Sequence, residues 1–378
     1  MHFNLTEEQR ALAETVQRFL AQQYGFEARR RILRSAEGWS RETWARLAEM
    51  GLLGLQVAPE HGGMAPAAIE TMVTLDAMGR ALLVEPYLAS AVLGSALVGA
   101  LGTPAQRAAL LPAMAEGRRI VVPAHGEAGA RYDLPRVATA ARRGGAGWVL
   151  SGRKAVVVHA AAADLLLVTA RTSGAVDEPR GISVFAVPPG SRGVRLIPYP
   201  LIDGQRGADV VLDEAPLEPD ALLGPEGGAF PALEAAWDLG VAALCAEAVG
   251  VLQATLDATT EYTRTRKQFG VPIARFQALQ HRMADMLMHV EQARSMSYLA
   301  AMVAGAADLK ERRRKLSAAK VVVGQACRFV GQQAVQLHGG MGVTDELAVS
   351  HCFKRLMAIE ASLGDTEHHL ERFITEGR

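Results

Sequence analysis

The chain has 378 residues, more than one hydrophobic core of ordinary size holds, so two or three domains are expected. Hydrophobic residues make up 49% and charged ones 21%, the composition of a globular protein with a large core. Lys+Arg and Asp+Glu are 40 each, which removes the electrostatic case for a nucleic acid or an anionic membrane surface as partner.

The opening MHFNLTEEQR has no cationic stretch followed by an apolar one, so no secretion signal is read and a cytoplasmic location is expected. Thr6-Glu7-Glu8-Gln9 is a capping box that starts a helix. Helical patterns follow at 40–50, 66–81, 86–100 and 104–116, punctuated by Gly and Pro, as in PEHGG at 59–63. From about 120 to 220 short apolar stretches (GWVL, DLLLVTAR, GISVFAVP, GVRLIPYP, ADVVLDE) alternate with Gly, Pro and Asp. That spacing predicts a small antiparallel β domain, with 125–147 as loop or irregular strand. The apolar run at 156–170 contains His159 and Asp164 and falls short of a membrane span. From about 228 helical periodicity returns, with Val241, Leu244, Cys245, Ala248, Leu252 and Leu256 in an i, i+3, i+4 rhythm. Domains are expected at 1–119, 120–226 and 227–378. The three cysteines, Cys245, Cys327 and Cys352, are far apart and form no CxxC pair. Neither a disulfide framework nor a zinc site is indicated, and a reducing compartment suits them.

Two motifs carry chemistry. In RTRKQFGVPIARFQALQHRMADM (264–286) Arg266 ends a long helix, Gln268-Phe269-Gly270 and Pro272 break it, and Phe276-Gln277 open the next. An arginine beside such a break can present a planar donor fork to phosphate, although spacing alone favours a helix C-cap that offsets the dipole. In QLHGGMGVTDE (336–346) the glycines let a backbone approach a ligand closely. No Gly-Lys-Ser/Thr follows and no strand precedes it, which excludes a phosphate loop and a Rossmann fingerprint.

An RxQFGxPIxxFQ segment followed about seventy residues later by Q-x-x-GG-x-G resembles the acyl-CoA dehydrogenase family. The opening FNLTEEQ, GLLGLQVAPEHGG at 51–63, TPAQRAALLPAMAEG at 103–117 and the α–β–α order resemble it too. The resemblance implies an α+β fold of an N-terminal helical domain, a middle small antiparallel β domain and a C-terminal four-helix bundle. It implies a tetramer with FAD shared across an interface, an acyl-CoA substrate and an electron-transferring flavoprotein as acceptor. The family's pyrophosphate-binding arginine falls on Arg266, with Gln268, Phe269 and Gln277 beside it; its adenine-end residues fall on Gln336, Gly339 and Gly340.

The departures are as informative. A carboxylate base must remove the Cα proton as a hydride leaves Cβ. The position of the glutamate used by the largest branch is Leu363, before Gly364, and that of the second branch is Gly240. Asp365 falls where the family often has a Thr lining the cofactor, and either it or Glu247 is a candidate displaced base. Glu247 lies seven residues past Gly240, roughly 10 Å along a helix. VVPAHGEAGARYD (121–133) and RKAVVVHAAAAD (153–164) replace the segments that flank the flavin, with valines in place of an aromatic and a hydroxyl. His368 and His369 point in different directions on a helix, so no metal site is expected, and a solvated helix start with acids in its first turn accounts for that cluster. The GDTEHHL ending and RKAVVV run resemble small-subunit members of pimeloyl-CoA dehydrogenase type. Related two-gene enzymes act on bulky acyl-CoAs, steroid side chains included. Three readings stay open: a subunit without the usual base that shares FAD with a homologous partner, a self-sufficient dehydrogenase, and a non-catalytic acyl-CoA- or flavin-binding scaffold.

Overall fold

The structure, a computed structural model, describes residues 4–64 and 67–377. The start of the helix expected at 66 lies outside them. Helices α1 (Glu7–Gln23), α2 (Phe26–Arg34), α3 (Arg41–Glu49) and α4 (Ala68–Ala81) come first. The box at Thr6 is formed in both directions: its hydroxyl accepts the Gln9 N–H and the Gln9 side chain accepts the Thr6 N–H. The helix expected at 86–100 is instead a π-helix, Tyr87–Gly94, running into α5 (Ser95–Leu101). Helix α6 (Pro104–Ala115) has its own box, Thr103 with Gln106, and Pro at its first position.

Eight strands follow: β1 (Val121–Ala124), β2 (Ala140–Gly144), β3 (Gly147–Val158), β4 (Leu165–Arg171), β5 (Ile182–Val187), β6 (Val194–Pro200), β7 (Arg206–Leu217) and β8 (Leu222–Leu223). They form one sheet in the order β6-β7-β3-β2-β4-β5-β8, with β1 on β4. Most pairs are antiparallel, as expected, but β1–β4 and β2–β4 are parallel. The loop region at 125–147 thus contributes a strand to the middle of the sheet.

The remaining helices are α7 (Phe230–Thr265), α8 (Gln277–Val303), α9 (Leu309–His338), α10 (Ala348–Ala361) and α11 (Thr366–Glu376). Helix α7 is, by length and composition alone, apolar enough to cross a membrane. However, 83% of its most apolar 18-residue window is buried within the protein, as in the core helix of a globular protein.

Two compact units result. One contains the chain up to Arg31, Ala68–Leu83 and everything from Val241. In it α9 packs against α8, α10 and α11. Helices α4 and α7 touch through their backbones: a Cβ on Gly79 would overlap the Glu247 carbonyl, and one on Gly250 the Asp76 carbonyl. The other unit contains Ile32–Ala67 and Val84–Gly240. Its core joins the sheet to helical segments through Val57, Leu97, Leu111, Val121, Leu167 and Leu233.

Candidate cofactor-binding site

The Arg266 N–H still bonds the Tyr262 carbonyl at 2.8 Å, so Arg266 completes the last turn of α7. A hairpin follows, β9 (Lys267–Gln268) and β10 (Val271–Pro272), with Gln268 opposite Val271. Its central residues, Phe269 at φ +52° and Gly270 at +79°, make the mirror-image turn that two-residue hairpins favour. Phe269 is held out, 90% exposed, edge-on to Phe276 with centroids 6.0 Å apart. Arg266, Gln268 and Gln277 are exposed. Among the described residues no hydrogen bond or ion pair engages the Arg266 guanidinium. Gln277 starts α8, whose first turn has neither a side-chain cap nor an acidic residue.

Gln336 is exposed in the last turn of α9. Gly339 follows at φ +60°, ψ −142°, a combination that needs glycine. A Cβ on Gly339 or Gly340 would meet nothing within 4 Å, so this backbone is open to a ligand. The two motifs adjoin. Tyr262, one turn before Arg266, stacks on His338, the residue before Gly339, with ring centroids 4.2 Å apart at 25°.

Asp365 stands at the start of α11. Its carboxylate caps α11, accepting the His368 N–H at 2.9 Å. The loop before it is pinned from below. Lys320, completely buried on α9, donates from Nζ to the carbonyls of Ile359 (3.0 Å), Glu360 (2.8 Å) and Gly364 (2.8 Å). His369 donates from Nε2 to the Leu363 carbonyl at 3.0 Å. Leu363 is thereby held at φ +54°. The solvated helix start expected here is half right. Asp365 does cap it, but His369 is 1% exposed, and burial with the Lys320 charge pushes its pKa down to about 3. The rings of His368 and His369 stand 86° apart. Among the described residues no group of three or more His, Cys, Asp or Glu could hold a metal ion.

Glu247 is 5% exposed, and both its oxygens are taken by Arg355, Nε to Oε1 at 2.6 Å and Nη2 to Oε2 at 2.7 Å. A carboxylate so engaged is a poor base, because accepting a proton would break a buried charge pair.

In the sheet unit the valine run sits on a bulge. The β3–β7 register shifts between Lys154 and Val157, and Val156 bulges out at φ +54°, 56% exposed. Its N–H donates to Tyr199 Oη and Asp209 Oδ1, both at 3.1 Å. Behind it Lys154, fully buried, donates to Glu127 (2.7 Å) and to Thr169 Oγ1 (3.0 Å). His125 Nδ1 is 3.0 Å from the same hydroxyl and meets Trp237 edge-on. Burial lowers the Lys154 pKa to about 8, which Glu127 only partly restores. Burial would raise that of Glu127, but Lys154 and the Thr139 hydrogen bonds outweigh it and set it at about 2.

Three domain profiles match end to end: acyl-CoA dehydrogenase N-terminal domain at residues 6–118, middle domain at 124–213 and C-terminal domain at 230–376. The chain belongs to the acyl-CoA dehydrogenase family. It is 30% identical over 376 residues to a probable acyl-CoA dehydrogenase of Bacillus subtilis, YngJ, with 97% of each covered. It superimposes on a chain of the ChsE4-ChsE5 complex from Mycobacterium tuberculosis with a TM-score of 0.87 at 27% identity, covering 100% of this chain and 98% of that one. A solved FAD-dependent dehydrogenase matches with a TM-score of 0.87 at 27% identity, covering 99% of each chain.

Acyl-CoA dehydrogenases are oxidoreductases acting on CH–CH donors, and membership implies FAD. The donor set at the α7, α8 and α9 ends fits the anionic, adenine-bearing half of that group: a guanidinium fork, an uncapped helix start and bare glycine backbone. In the sheet unit, Val156 and Val158 carry no side-chain hydrogen-bonding group. Lys154, Lys320 and Arg355 are charged groups that reasoning from sequence missed. The available signal was a single cation on an otherwise apolar face, as Lys320 is among Leu316, Ala319, Val323 and Cys327.

Proposed function

We propose that this chain is one subunit of an acyl-CoA dehydrogenase that desaturates an acyl-CoA at Cα–Cβ, with a homologous partner subunit providing the base. Bound FAD would supply the hydride acceptor for Cβ, and the Cα proton would have to go to a carboxylate. In this reading Arg266 holds the pyrophosphate, with Gln268, Phe269 and Gln277 beside it, and Gln336, Gly339 and Gly340 approach the adenine end. The observation that carries it is the pairing of an unengaged guanidinium at Arg266 with a Leu at position 363, no side chain at Gly240 and a Glu247 committed to Arg355. The likeness to a chain of a two-component complex supports a heteromer, read here as an α2β2 tetramer of small-subunit type. The segments 1–119, 120–226 and 227–378 are read as its N-terminal, middle and C-terminal domains, and an electron-transferring flavoprotein as its acceptor.

The test is the chain purified alone, its visible spectrum taken before and after anaerobic addition of acyl-CoAs of several lengths and a steroid acyl-CoA. A colourless or unbleached protein that becomes active with a homologous partner supports the reading. A yellow protein that bleaches alone overturns it in favour of a self-sufficient enzyme, with Asp365 then the residue to replace. No turnover with any partner, despite bound FAD, would leave the scaffold reading.

A further inference from the structure

We infer that the stacked pair Tyr262–His338 is the positioning device of the nucleotide half-site, setting the gap between the Arg266 hairpin and the Gly339–Gly340 turn. The inference rests on the reading of those two segments as FAD contacts, and it adds what holds them in register.

Each ring is one step from a segment that would touch the ligand. The Tyr262 carbonyl accepts the Arg266 N–H, so any tilt of Tyr262 moves the base of the hairpin. His338 directly precedes Gly339, where the chain leaves α9 in a glycine-only conformation, so any rotation of His338 moves the bare backbone beyond it. The imidazole cannot rotate freely. Its Nδ1 lies 2.8 Å from the Ala334 carbonyl, which can only accept, so Nδ1 carries the proton. The Tyr262 hydroxyl reaches back to the His338 carbonyl at 3.4 Å. His338 is 5% exposed, so the contact lies inside the protein rather than on a solvated face.

The α8 start joins the same frame. Thr263, next to Tyr262, donates its hydroxyl to Met283 Sδ at 3.3 Å, and Arg282 donates to Gln333, one turn before Leu337, at 3.1 Å. Three helix ends that carry Arg266, Gln277 and Gly339 are therefore cross-linked on one level, with the ring pair linking the two that hold the motifs. Placement matters because a multipoint anion site depends on all its donors arriving together: an ångström of misplacement costs on the order of 10² in comparable positioned systems.

The experiment uses the full chain in whatever oligomer or complex it forms. Exposed Lys267 and Met341 are replaced by Cys for spin labelling; the native thiols are buried and do not compete. Distance distributions between the labels are recorded for the parent, Tyr262→Phe, which keeps the stack, and Tyr262→Leu, which removes it. FAD dissociation constants are measured on the unlabelled proteins. Val330→Ala, a buried cavity variant elsewhere on α9, serves as the control for general destabilisation.

The expected result is a narrow distribution and unchanged FAD affinity for Tyr262→Phe, and a broadened distribution with roughly tenfold weaker FAD for Tyr262→Leu. His338→Ala should behave as Tyr262→Leu does, which guards against a single misfolded variant. An unchanged distribution in Tyr262→Leu overturns the positioning role whatever happens to FAD. Equal loss of FAD in Val330→Ala also overturns it, because stability alone would then explain the effect. A parent that takes up no FAD even together with a homologous partner subunit overturns the reading of the site itself, and the label distances separate that outcome from failure of the ring pair.

Discussion

Arg355 on α10 grips Glu247 on α7 through two parallel hydrogen bonds of 2.6 and 2.7 Å, both residues almost fully buried. This pair turns a candidate base into a structural group and leads to the first expectation. Removing one partner strands the other charge in the core, which costs about 3–5 kcal/mol, whereas replacing both with apolar residues of similar size is near neutral. Glu247→Leu alone should therefore lower the unfolding free energy by that amount. Glu247→Leu with Arg355→Met should recover most of it. Chemical denaturation checks both, and activity should follow the folded fraction. A rate loss of several orders of magnitude at full folding would instead make Glu247 the base.

Glu127 gives a pH dependence with a defined sign. Its pKa is about 2 in the folded protein against an ordinary value of 4.5: burial opposes the shift, but the Lys154 ammonium and the Thr139 bonds overcome it. A carboxylate with a depressed pKa contributes stability that is present above its unfolded value and lost as pH falls through the folded one. The gap in melting temperature between wild type and Glu127→Gln should thus be full above pH 4.5 and close towards pH 2. A gap independent of pH over that window would mean that the ion pair with Lys154 does not form.

Lys320 holds three main-chain carbonyls at the end of α10 and in the loop after it. Lys320→Met keeps the length of the side chain and removes the donors. Each buried carbonyl left without a partner costs about 1–3 kcal/mol. Amide exchange at Leu363, Gly364 and Asp365 should accelerate well beyond that of the α9 core. Uniform acceleration throughout the α-helical unit would show that Lys320 supports global stability rather than this loop.

What was legible in the sequence follows from how local each signal is. The Thr6 box and the apolar rhythm of α7 depend on residues three and four apart, and both formed. The π-helix at Tyr87–Gly94 reads as an ordinary helix in the sequence because one extra residue per turn leaves no mark in a mostly apolar run such as YLASAVLG. The parallel pairing of β1 with β4 joins Val121 to Leu165, a contact that no short-range pattern encodes. Motif spacing located Arg266 and Gly339, but only the stack of Tyr262 on His338 shows that their helix ends adjoin. The HH pair looked solvated because its neighbours are charged. His369 is buried because Lys320, 49 residues earlier in the chain, needs the loop beside it closed.

Val156 supplies the last expectation. A β-branched residue at φ +54° suffers a clash between Cβ and its own backbone, worth roughly 1–2 kcal/mol. Its N–H, shared between Tyr199 and Asp209, holds it there, and Asp209 is itself braced by Arg153. With 56% of the residue exposed, little burial is lost when the side chain goes. Val156→Gly relieves the clash and gives back about 0.5–1 kcal/mol through the greater freedom of the unfolded chain. The balance is a small net stabilisation, while Val156→Ala, which keeps the Cβ, should gain nothing. Denaturant midpoints of the two variants against wild type decide it. If glycine and alanine behave alike, the strain is not stored at this residue; if glycine gains and substrate or flavin binding weakens, the bulge holds strain in order to present a side chain to the ligand.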